Sequence, residues 1–241
     1  MVNEIYNMDC VKGMAEHIES NSIDCVITSP PYDNLRNYEG YNFDFRKTAT
    51  ELFRVVKNGG VIVWVVGDSC IKGSESGSSF KQALYFQELG FNIHDTMIYK
   101  KNSSSFPARR NSNRYTQIFE YMFIFSKGKP KTAKLICDKK NKWAGYKRWS
   151  KETPEHSPRT NIWEFTTSAN STGHPAQFPE KLVNDHLLTW TNEKDIILDP
   201  FMGSGTVAYV SSLLNRNYIG FEISESYCNL ANKRIFSGVN K

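Results

Sequence analysis

The chain has 241 residues, 39% of them hydrophobic and 13% aromatic, which is enough for one large globular domain with a substantial core. It shows neither an apolar stretch of membrane-spanning length nor a signal-peptide pattern, and its five scattered cysteines form no CxxC pair, so we expect a cytoplasmic protein without disulfides or a metal site. The net charge is +5, yet residues 99–160 hold 16 of the 30 Lys and Arg and only 4 of the 25 Asp and Glu, which leaves the remainder acidic.

The chain begins with a strand pattern and a helical stretch, followed by a second strand that ends in an unusual loop. The strand pattern at residues 5–9 ends in Asp9, and Cys10 opens the helical stretch. The apolar strand at residues 23–27 then leads towards Ser29-Pro30-Pro31-Tyr32. Two successive prolines cannot continue a strand ladder, and their rings fix φ. The loop is therefore rigid and lies at the C-terminal end of a strand, where open α/β sheets bind ligands.

The middle of the chain contains the most apolar strand. A helical pattern before it is expected to end at Asn58-Gly59-Gly60, because glycine commonly ends helices. Residues 61–66 form an uninterrupted, mostly β-branched run, which is typical of a central strand covered on both faces. Residues 67–79 are rich in glycine and serine and predict a mobile loop. A helix is expected at residues 80–89, and a pair of strands that completes the sheet is expected at residues 91–100 and 118–126.

Two parts of the basic segment carry no regular pattern. Residues 103–110 include Arg109 and Arg110 and predict a flexible arm. Residues 127–159 are rich in Lys, Trp and Tyr and are long for a connector, and long loops are usually functional or disordered. Basic residues interleaved with aromatic ones are typical of nucleic-acid contact, but the same composition suits a solvated loop held to the core. Charge alone leaves both interpretations open.

The most informative stretch lies near the C-terminus. An apolar strand at residues 196–198 leads into Asp199-Pro200-Phe201-Met202-Gly203-Ser204-Gly205-Thr206, after which a helical pattern continues. Two glycines in such a turn let the backbone approach a ligand, and the start of a helix offers unpaired N–H groups. A second strand, at residues 218–221, ends in Glu222, and a carboxylate in this position is suited to accept both hydroxyls of a ribose. The unit predicts a nucleoside site.

The position of this unit also predicts the order of the strands. Only 36 residues follow Gly205, whereas a doubly wound sheet normally needs several strand and helix units beyond its first nucleotide turn. The other strands must therefore come from the N-terminal side. We expect an α/β, doubly wound, Rossmann-like sheet that is circularly permuted and mostly parallel, with an antiparallel edge strand.

The glycine spacing alone identifies no cofactor, because the match to G-x-G-x-x-A is weak evidence and would also suit a nicotinamide dehydrogenase. No Gly-Lys-Ser/Thr follows it, so a triphosphate P-loop is not expected. Together, however, Ser29-Pro30-Pro31-Tyr32, His174-Pro175-Ala176-Gln177-Phe178-Pro179 and Asp199-Pro200-Phe201 resemble the S-adenosylmethionine-dependent DNA amino-methyltransferases of restriction-modification type, in their permuted β group. The resemblance covers nearly the whole chain, and its motifs stand in the order of that group.

The resemblance implies a cofactor site made of a turn around the methionine part, two residues that close over it, a ribose carboxylate and an adenine edge. The corresponding residues are Asp199, Pro200, Phe201, Gly203, Ser204, Gly205 and Thr206 for the turn, Phe178 and Pro179 for the closure, Glu222 for the ribose, and Asp9 and Cys10 for the adenine. The alternative for Phe178 is a place in the core, and the alternative for Asp9 is a helix cap.

The resemblance also implies that Ser29, Pro30, Pro31 and Tyr32 are catalytic. An exocyclic amino group is a poor nucleophile because its lone pair is delocalised into the base. The Ser29 hydroxyl and the Pro30 carbonyl would accept hydrogen bonds from the amino group and aim its lone pair at the methyl group, while Tyr32 stacks on the flipped base. Methylation of cytosine carbon 5 would instead need a Pro-Cys nucleophile, and the sequence has none.

On the same resemblance, residues 1–241 form one methyltransferase domain in which residues 127–160 are a small basic insertion that recognises double-stranded DNA. Arg36, Arg109 and Arg110 are candidate DNA contacts.

Serine at the first loop position favours cytosine N4 over adenine N6 as the target. A homodimer and a cognate restriction endonuclease are further expected partners. The alternatives are adenine N6, an RNA or protein amide as substrate, a nicotinamide dehydrogenase, and an inactive DNA-binding module.

Overall fold

The computed structural model describes residues 2–31, 43–102, 115–148, 151–166 and 178–239. Six helices lie in these ranges: α1 (Cys10–His17), α2 (Phe45–Val55), α3 (Ser78–Glu88), α4 (Glu180–Trp190), α5 (Thr206–Leu213) and α6 (Glu225–Val239). The strands there are β1 (Glu4–Asn7), β2 (Ile23–Thr28), β3 (Val56–Val66), β4 (Cys70–Ile71), β5 (Ser74–Glu75), β6 (Asn92–Lys101), β7 (Phe119–Ser126), β8 (Lys139–Lys140), β9 (Lys147–Arg148), β10 (Lys151–Glu152), β11 (His156–Ser157), β12 (Ile162–Phe165), β13 (Ile196–Asp199) and β14 (Asn217–Glu222).

Eight of these strands form one sheet, in the order β1-β14-β13-β2-β3-β7-β6-β12. Seven of them run in the same direction, and β7 is antiparallel to both of its neighbours. β13 and β2 are neighbours in this sheet. From β13 the chain continues to β14 on one side of this pair, and from β2 it continues to β3 on the other side. The first strand of the chain pairs with the last, and the second pairs with β13. The predicted doubly wound, mostly parallel and circularly permuted sheet is therefore confirmed.

The antiparallel strand lies inside the sheet, and the prediction that it forms the edge is wrong. The predicted strand pair, β6 and β7, exists, but β12 adds to β6 in parallel and becomes the edge. In β12 the alternate residues Trp163 and Phe165 are buried, which holds this short strand to the core. Its pairing with Tyr99 and its neighbours joins residues that are far apart in the chain, so the four-residue pattern does not reveal its partner.

Helices cover both faces of the sheet, as the run in β3 predicts. Ile62, Trp64 and Val66 face a core that α1, α2 and α3 complete. Val63 and Val65 face a second core, to which α4 and α5 contribute. Because successive side chains of a strand point to opposite faces, a strand buried on both sides is apolar at every position.

Two local structures differ from the predictions. Helix α2 ends at Val55, earlier than expected, and Asn58-Gly59-Gly60 lies inside β3, where the pairing with β2 is irregular. Gly59 adopts a φ of 83°, so this glycine serves the strand irregularity instead of a helix end. Residues 67–79 contain the small hairpin of β4 and β5 and the start of α3 in place of a loop without structure. None of the helices in the described ranges has the length and hydropathy that crossing a bilayer requires.

Candidate active site

The parallel strands bring most of the predicted site residues together at the carboxyl ends of the strands, which we call the carboxyl edge of the sheet. Asp199 and Glu222 are the last residues of β13 and β14, while Asp9 and Ser29 follow β1 and β2. β13 and β2 are neighbours, and the direction of winding reverses between them. Ligands of open α/β sheets bind at such a switch point, outside the carboxyl ends of the strands.

The Asp199 side chain is buried at this switch point, with 3% of the residue exposed. Its Oδ1 accepts a hydrogen bond from the Thr28 hydroxyl at 2.7 Å and one from the Phe201 backbone N–H at 3.0 Å. The pKa of this carboxyl is raised to about 7, chiefly by burial and also by the charge of Glu222, against the lowering effect of the two hydrogen bonds. A cation placed beside such a carboxylate would stabilise its ionised form.

Glu222 holds the glycine turn while presenting a carboxylate at the same edge. Its Oε2 accepts a hydrogen bond from the Gly203 backbone N–H at 2.8 Å, and its Oε1 accepts one from the Ser224 N–H at 2.9 Å. The residue is half-buried. A carboxylate offers only acceptor oxygens, so Glu222 places at this end of the sheet the kind of group to which a ribose hydroxyl donates.

Gly205 packs so closely against helix α6 that a side chain at this position would not fit. Its φ is 76°, and a Cβ added there would lie 2.6 Å from the Ala231 Cβ on α6. The sequence interpretation attributed both glycines of the turn to the approach of a ligand. At Gly205 the structure shows that the close approach is made by a helix instead.

Arg234 holds the end of the glycine turn that contains Ser204 and Thr206. Its Nη1 donates to the Thr206 hydroxyl at 2.9 Å and to the Ser204 carbonyl at 3.3 Å, and its Nη2 donates to the Glu180 carboxylate at 2.7 Å. Ser204 and Thr206 are buried. Glu180 follows Pro179, the N-cap residue of α4, so one guanidinium holds the glycine turn and the predicted closing segment together.

At the end of β1, Asp9 caps α1 by accepting a hydrogen bond from the Lys12 backbone N–H at 3.0 Å. Cys10 is buried, and its sulfur lies 3.9 Å from the Thr48 hydroxyl. The capping interpretation of Asp9 is thus confirmed, and its proposed contact with adenine stays a prediction. Asn7 donates to the Glu222 carbonyl at 2.9 Å and so fixes this strand end to that of β14.

The remaining predicted residues are only partly described. Pro30 and Pro200 are buried, and Ser29 and Pro31 are half-buried. Phe201 is half-buried and meets Phe43 edge to face, with ring centroids 5.2 Å apart. Phe178 packs against the core between the sheet and helices α4 and α5. Tyr32, Arg36, Arg109, Arg110 and the residues from His174 to Gln177 lie outside the described ranges.

The basic insertion contains two short pairs of antiparallel strands, which together we call the basic hairpin (residues 139–148 and 151–157). β8 pairs with β11 and β9 with β10, and backbone hydrogen bonds from Asn141 to Glu155 and from Gly145 to Thr153 continue the pairing between them. Trp143 is 72% exposed. Tyr146 and five lysines of the hairpin are also exposed: Lys139, Lys140, Lys142, Lys147 and Lys151.

The base of the basic hairpin is attached to the core through Arg159. Its guanidinium donates to Asp138 at 2.9 Å and to the buried Asp185 of α4 at 2.7 Å, and it lies over the Trp163 ring. Lys127, at the start of the insertion, donates to the Phe53 carbonyl at 2.7 Å. The interpretation of a loop held to the core therefore applies to Arg159 and Lys127. Contact of the exposed hairpin lysines with nucleic acid stays a prediction.

Three residues of this edge have no counterpart among the sequence predictions. Two of them are Thr28 and Arg234, and the third is Asp68, which follows β3. Its Oδ1 accepts hydrogen bonds from the Ser76 and Ser78 hydroxyls, each at 3.0 Å, and so closes the β4–β5 hairpin onto α3. An acid two residues after the central strand, with serines eight and ten residues later, was the available signal for Asp68.

Comparison with known proteins gives consistent matches along the chain. A family model described as DNA methylase, N6_N4_Mtase, matches residues 23–233. The orphan methyltransferase M.BamHII of Bacillus amyloliquefaciens is 55% identical, over an alignment that covers 92% of each chain. The type II methyltransferase M.HpaI of Haemophilus parainfluenzae is 31% identical over 93% of this chain and 72% of its own.

Solved structures match over nearly the full length. The complex of M1.HpyAVI with S-adenosylmethionine has a TM-score of 0.67 at 26% identity and covers 96% of this chain and 98% of its own. The PvuII DNA methyltransferase, which is named cytosine-N4-specific, has a TM-score of 0.77 at 20% identity and covers 98% of this chain and 91% of its own. At that identity the second match supports the fold alone.

Proposed function

This chain belongs to the N6_N4_Mtase family of DNA methylases, and on that premise we propose that it transfers a methyl group from S-adenosylmethionine to the N4 amino group of cytosine in DNA. It is a DNA amino-methyltransferase, since that is the activity of the family. The observation that best supports the proposed chemistry is the hydrogen bond between Asp199 and Thr28. It joins the turn proposed for the cofactor to the strand that leads into the Ser29 loop.

The residues present at the switch point fit S-adenosylmethionine, the ligand of the M1.HpyAVI structure. Its ammonium group matches the buried carboxylate of Asp199, and its ribose hydroxyls match the half-buried carboxylate of Glu222. In our proposal Asp9 and Cys10 meet the adenine. Phe178 and Pro179 close the methionine side, together with the backbone of Pro200, Phe201, Gly203, Ser204, Gly205 and Thr206. When bound, the cofactor supplies an electrophilic methyl group on a sulfonium centre.

The chain's own part of the reaction is to orient the amino group. In the proposed arrangement the Ser29 hydroxyl and the Pro30 carbonyl each accept a hydrogen bond from the amino group, so that the nitrogen lone pair points out of the plane of the base. Pro30 and Pro31 have fixed φ angles, which keeps these acceptors in place before the base arrives. Tyr32 stacks on the base after it has left the duplex. The reaction needs no covalent intermediate with the protein.

The choice of cytosine N4 over adenine N6 rests on the serine at position 29, because serine at the first loop position is commoner with N4 targets in the resembled family. Adenine N6 is the second candidate, since the family covers both amino groups. Methyl transfer to an RNA or to a protein amide is disfavoured, because the family model that matches residues 23–233 is one of DNA methylases.

The first prediction concerns the modified base. We expect unmethylated DNA, incubated with the protein and S-adenosylmethionine and then digested to nucleosides, to contain N4-methyldeoxycytidine by mass spectrometry. DNA incubated without the cofactor is the control. N6-methyldeoxyadenosine as the sole product would assign the enzyme to adenine, and methylated RNA with unmethylated DNA would contradict the proposal that DNA is the substrate.

For DNA recognition we propose the basic hairpin together with Arg36, Arg109 and Arg110. The hairpin presents lysines and two aromatic rings to solvent on a base that Arg159 attaches to the core. This is the arrangement that phosphate contact and base stacking require. A homodimer and a partner endonuclease remain predictions, and the word orphan in the name of M.BamHII favours action without an endonuclease.

The second prediction separates the two kinds of hairpin contact. Lys140→Ala should weaken the binding of all DNA sequences similarly and reduce the slope of log K against log salt by about one, because one phosphate contact is lost. Trp143→Ala should weaken binding by about tenfold with little change of that slope, because stacking is not ionic. Both are measured by fluorescence anisotropy with labelled duplexes at several salt concentrations.

The matched control is Lys233→Ala, which removes an exposed lysine from α6. That helix packs against β1 and β14, at the other side of the sheet from β12. Equal effects of Lys140→Ala and Lys233→Ala on the salt slope would contradict the assignment of DNA binding to the basic hairpin.

A further inference from the structure

Thr28 makes a side-chain hydrogen bond between the two strands of the switch point, β2 and β13, at their carboxyl ends. It is the last residue of β2, it is fully buried, and its hydroxyl donates to Asp199 Oδ1 at 2.7 Å. The main-chain pairing of β2 with β13 runs through Cys25 with Ile197 and Val26 with Leu198. The hydrogen bond of Thr28 lies beyond that ladder, at the end of the sheet where the site is.

We propose that Thr28 is a positioning residue that holds the Asp199 carboxylate in the orientation and the charge state that bind the cofactor's ammonium group, and that couples this carboxylate to Ser29. The inference rests on the proposed cofactor site. Thr28 acts through Asp199 and through the backbone of the next residue. It contacts neither the base nor the reacting methyl group in this proposal.

The chemistry of the Asp199 environment explains why such a donor is needed. Burial favours the neutral acid, and the charge of Glu222 at the end of β14 acts in the same direction. Two donors favour the ionised form: the Phe201 N–H from the turn and the Thr28 hydroxyl from β2. A hydrogen bond to a charged group is stronger than one between neutral groups, so the loss of the Thr28 donor removes a substantial part of what keeps Asp199 ionised.

The side chain at position 28 can be changed with little change of shape. Thr28→Val replaces the hydroxyl by a methyl group and removes the donor, while Thr28→Ser keeps the donor. We expect Thr28→Val to weaken the binding of S-adenosylmethionine by about tenfold at pH 7. The difference in affinity between Thr28→Val and the wild type should narrow as the pH rises further above 7, because the carboxylate then ionises even without the donor. Thr28→Ser should bind within about threefold of the wild type at every pH.

The experiment is isothermal titration calorimetry of the full chain with S-adenosylmethionine between pH 6 and pH 9, with thermal unfolding measured in parallel. Thr189→Val is the matched control: Thr189 is also buried, but its hydroxyl donates to the Asp185 carbonyl within α4. It should leave cofactor affinity unchanged at all pH values. If Thr28→Val does not fold, Thr28→Ala removes the same donor without crowding the site.

Each outcome decides the inference. Equal affinity of the wild type and the donor-less variant at pH 7 would overturn it, as would a loss that is constant across pH or that Thr28→Ser fails to restore, since either pattern indicates a merely structural role. Failure of the wild type to bind S-adenosylmethionine at any pH would instead contradict the proposed cofactor site.

Discussion

The variant Asp199→Asn is expected to lose cofactor binding by about 100-fold or more and yet to be more stable than the wild type above neutral pH. Asparagine keeps the shape of the side chain and an oxygen that accepts the hydrogen bonds from Thr28 and from the Phe201 N–H. It has no charge to offer to an ammonium group, and a hydrogen bond between two charged groups is the strongest contact proposed for this site.

The gain in stability follows from the direction of the pKa shift. The pKa of Asp199 is raised in the folded protein from 3.8 to about 7, so the native state binds this proton more tightly than the unfolded chain does. The resulting stabilisation is complete below about pH 4 and is lost as the pH rises through about 7. Above that pH the ionised, buried carboxylate destabilises the fold by an amount on the order of 4 kcal/mol, since one pKa unit corresponds to about 1.4 kcal/mol. Asparagine does not titrate and carries no such penalty.

Urea unfolding of both proteins between pH 5 and pH 8.5 tests this expectation, with calorimetry for cofactor affinity. The difference in free energy of unfolding should grow in favour of Asp199→Asn up to about pH 8. Asp185→Asn is the control, because Asp185 is equally buried but paired with Arg159 at 2.7 Å. Breaking that pair should destabilise the protein by about 3–5 kcal/mol. Cofactor affinity of Asp199→Asn within about twofold of the wild type would contradict the role given to Asp199.

The position of Asp199 could be predicted from the sequence, whereas its hydrogen-bond partner could not. Asp199 stands in a motif whose strand, turn and helix are all local, so its place at the carboxyl end of β13 follows from a pattern of about ten residues. Its hydrogen-bond partner Thr28 is 171 residues away in the chain. No local pattern reveals such a pair, although the permuted order of the strands predicts that their two loops meet.

The same distinction explains the errors in the fold. Continuous apolar runs predicted β2 and β3, because a buried parallel strand is apolar on both sides. The edge position of β12 depends on its pairing with β6, and the closed hairpin of β4 and β5 depends on hydrogen bonds to Asp68, so neither is visible in hydropathy. The net charge of the basic segment likewise overestimates how many of its cations could contact DNA, because Arg159 is paired with Asp138 and Asp185.

Gly205 belongs to the glycine turn and also packs against α6. Its substitution is the second change for which we expect a large effect, in this case on the free energy of unfolding. Gly205→Ala places a methyl group at a φ of 76°, which L residues rarely adopt, and 2.6 Å from the Ala231 Cβ and 3.0 Å from its Cα. The left-handed backbone destabilises the fold by about 1 kcal/mol, and the crowding adds about 1–3 kcal/mol. We expect a total loss of about 2–4 kcal/mol in the free energy of unfolding, measured by urea denaturation.

Two further variants separate these contributions. Gly73→Ala imposes a similar backbone penalty, since Gly73 has a φ of 80° but no atom within 4 Å of an added Cβ, and it should destabilise the protein by only about 1 kcal/mol. Ala231→Gly removes the atom nearest to the new methyl group, so in a double-mutant cycle it should recover at least about 1 kcal/mol of the loss caused by Gly205→Ala. If Gly205→Ala were no worse than Gly73→Ala, contact between α5 and α6 would not be the reason for glycine in this turn, and the approach of a ligand would become the better explanation.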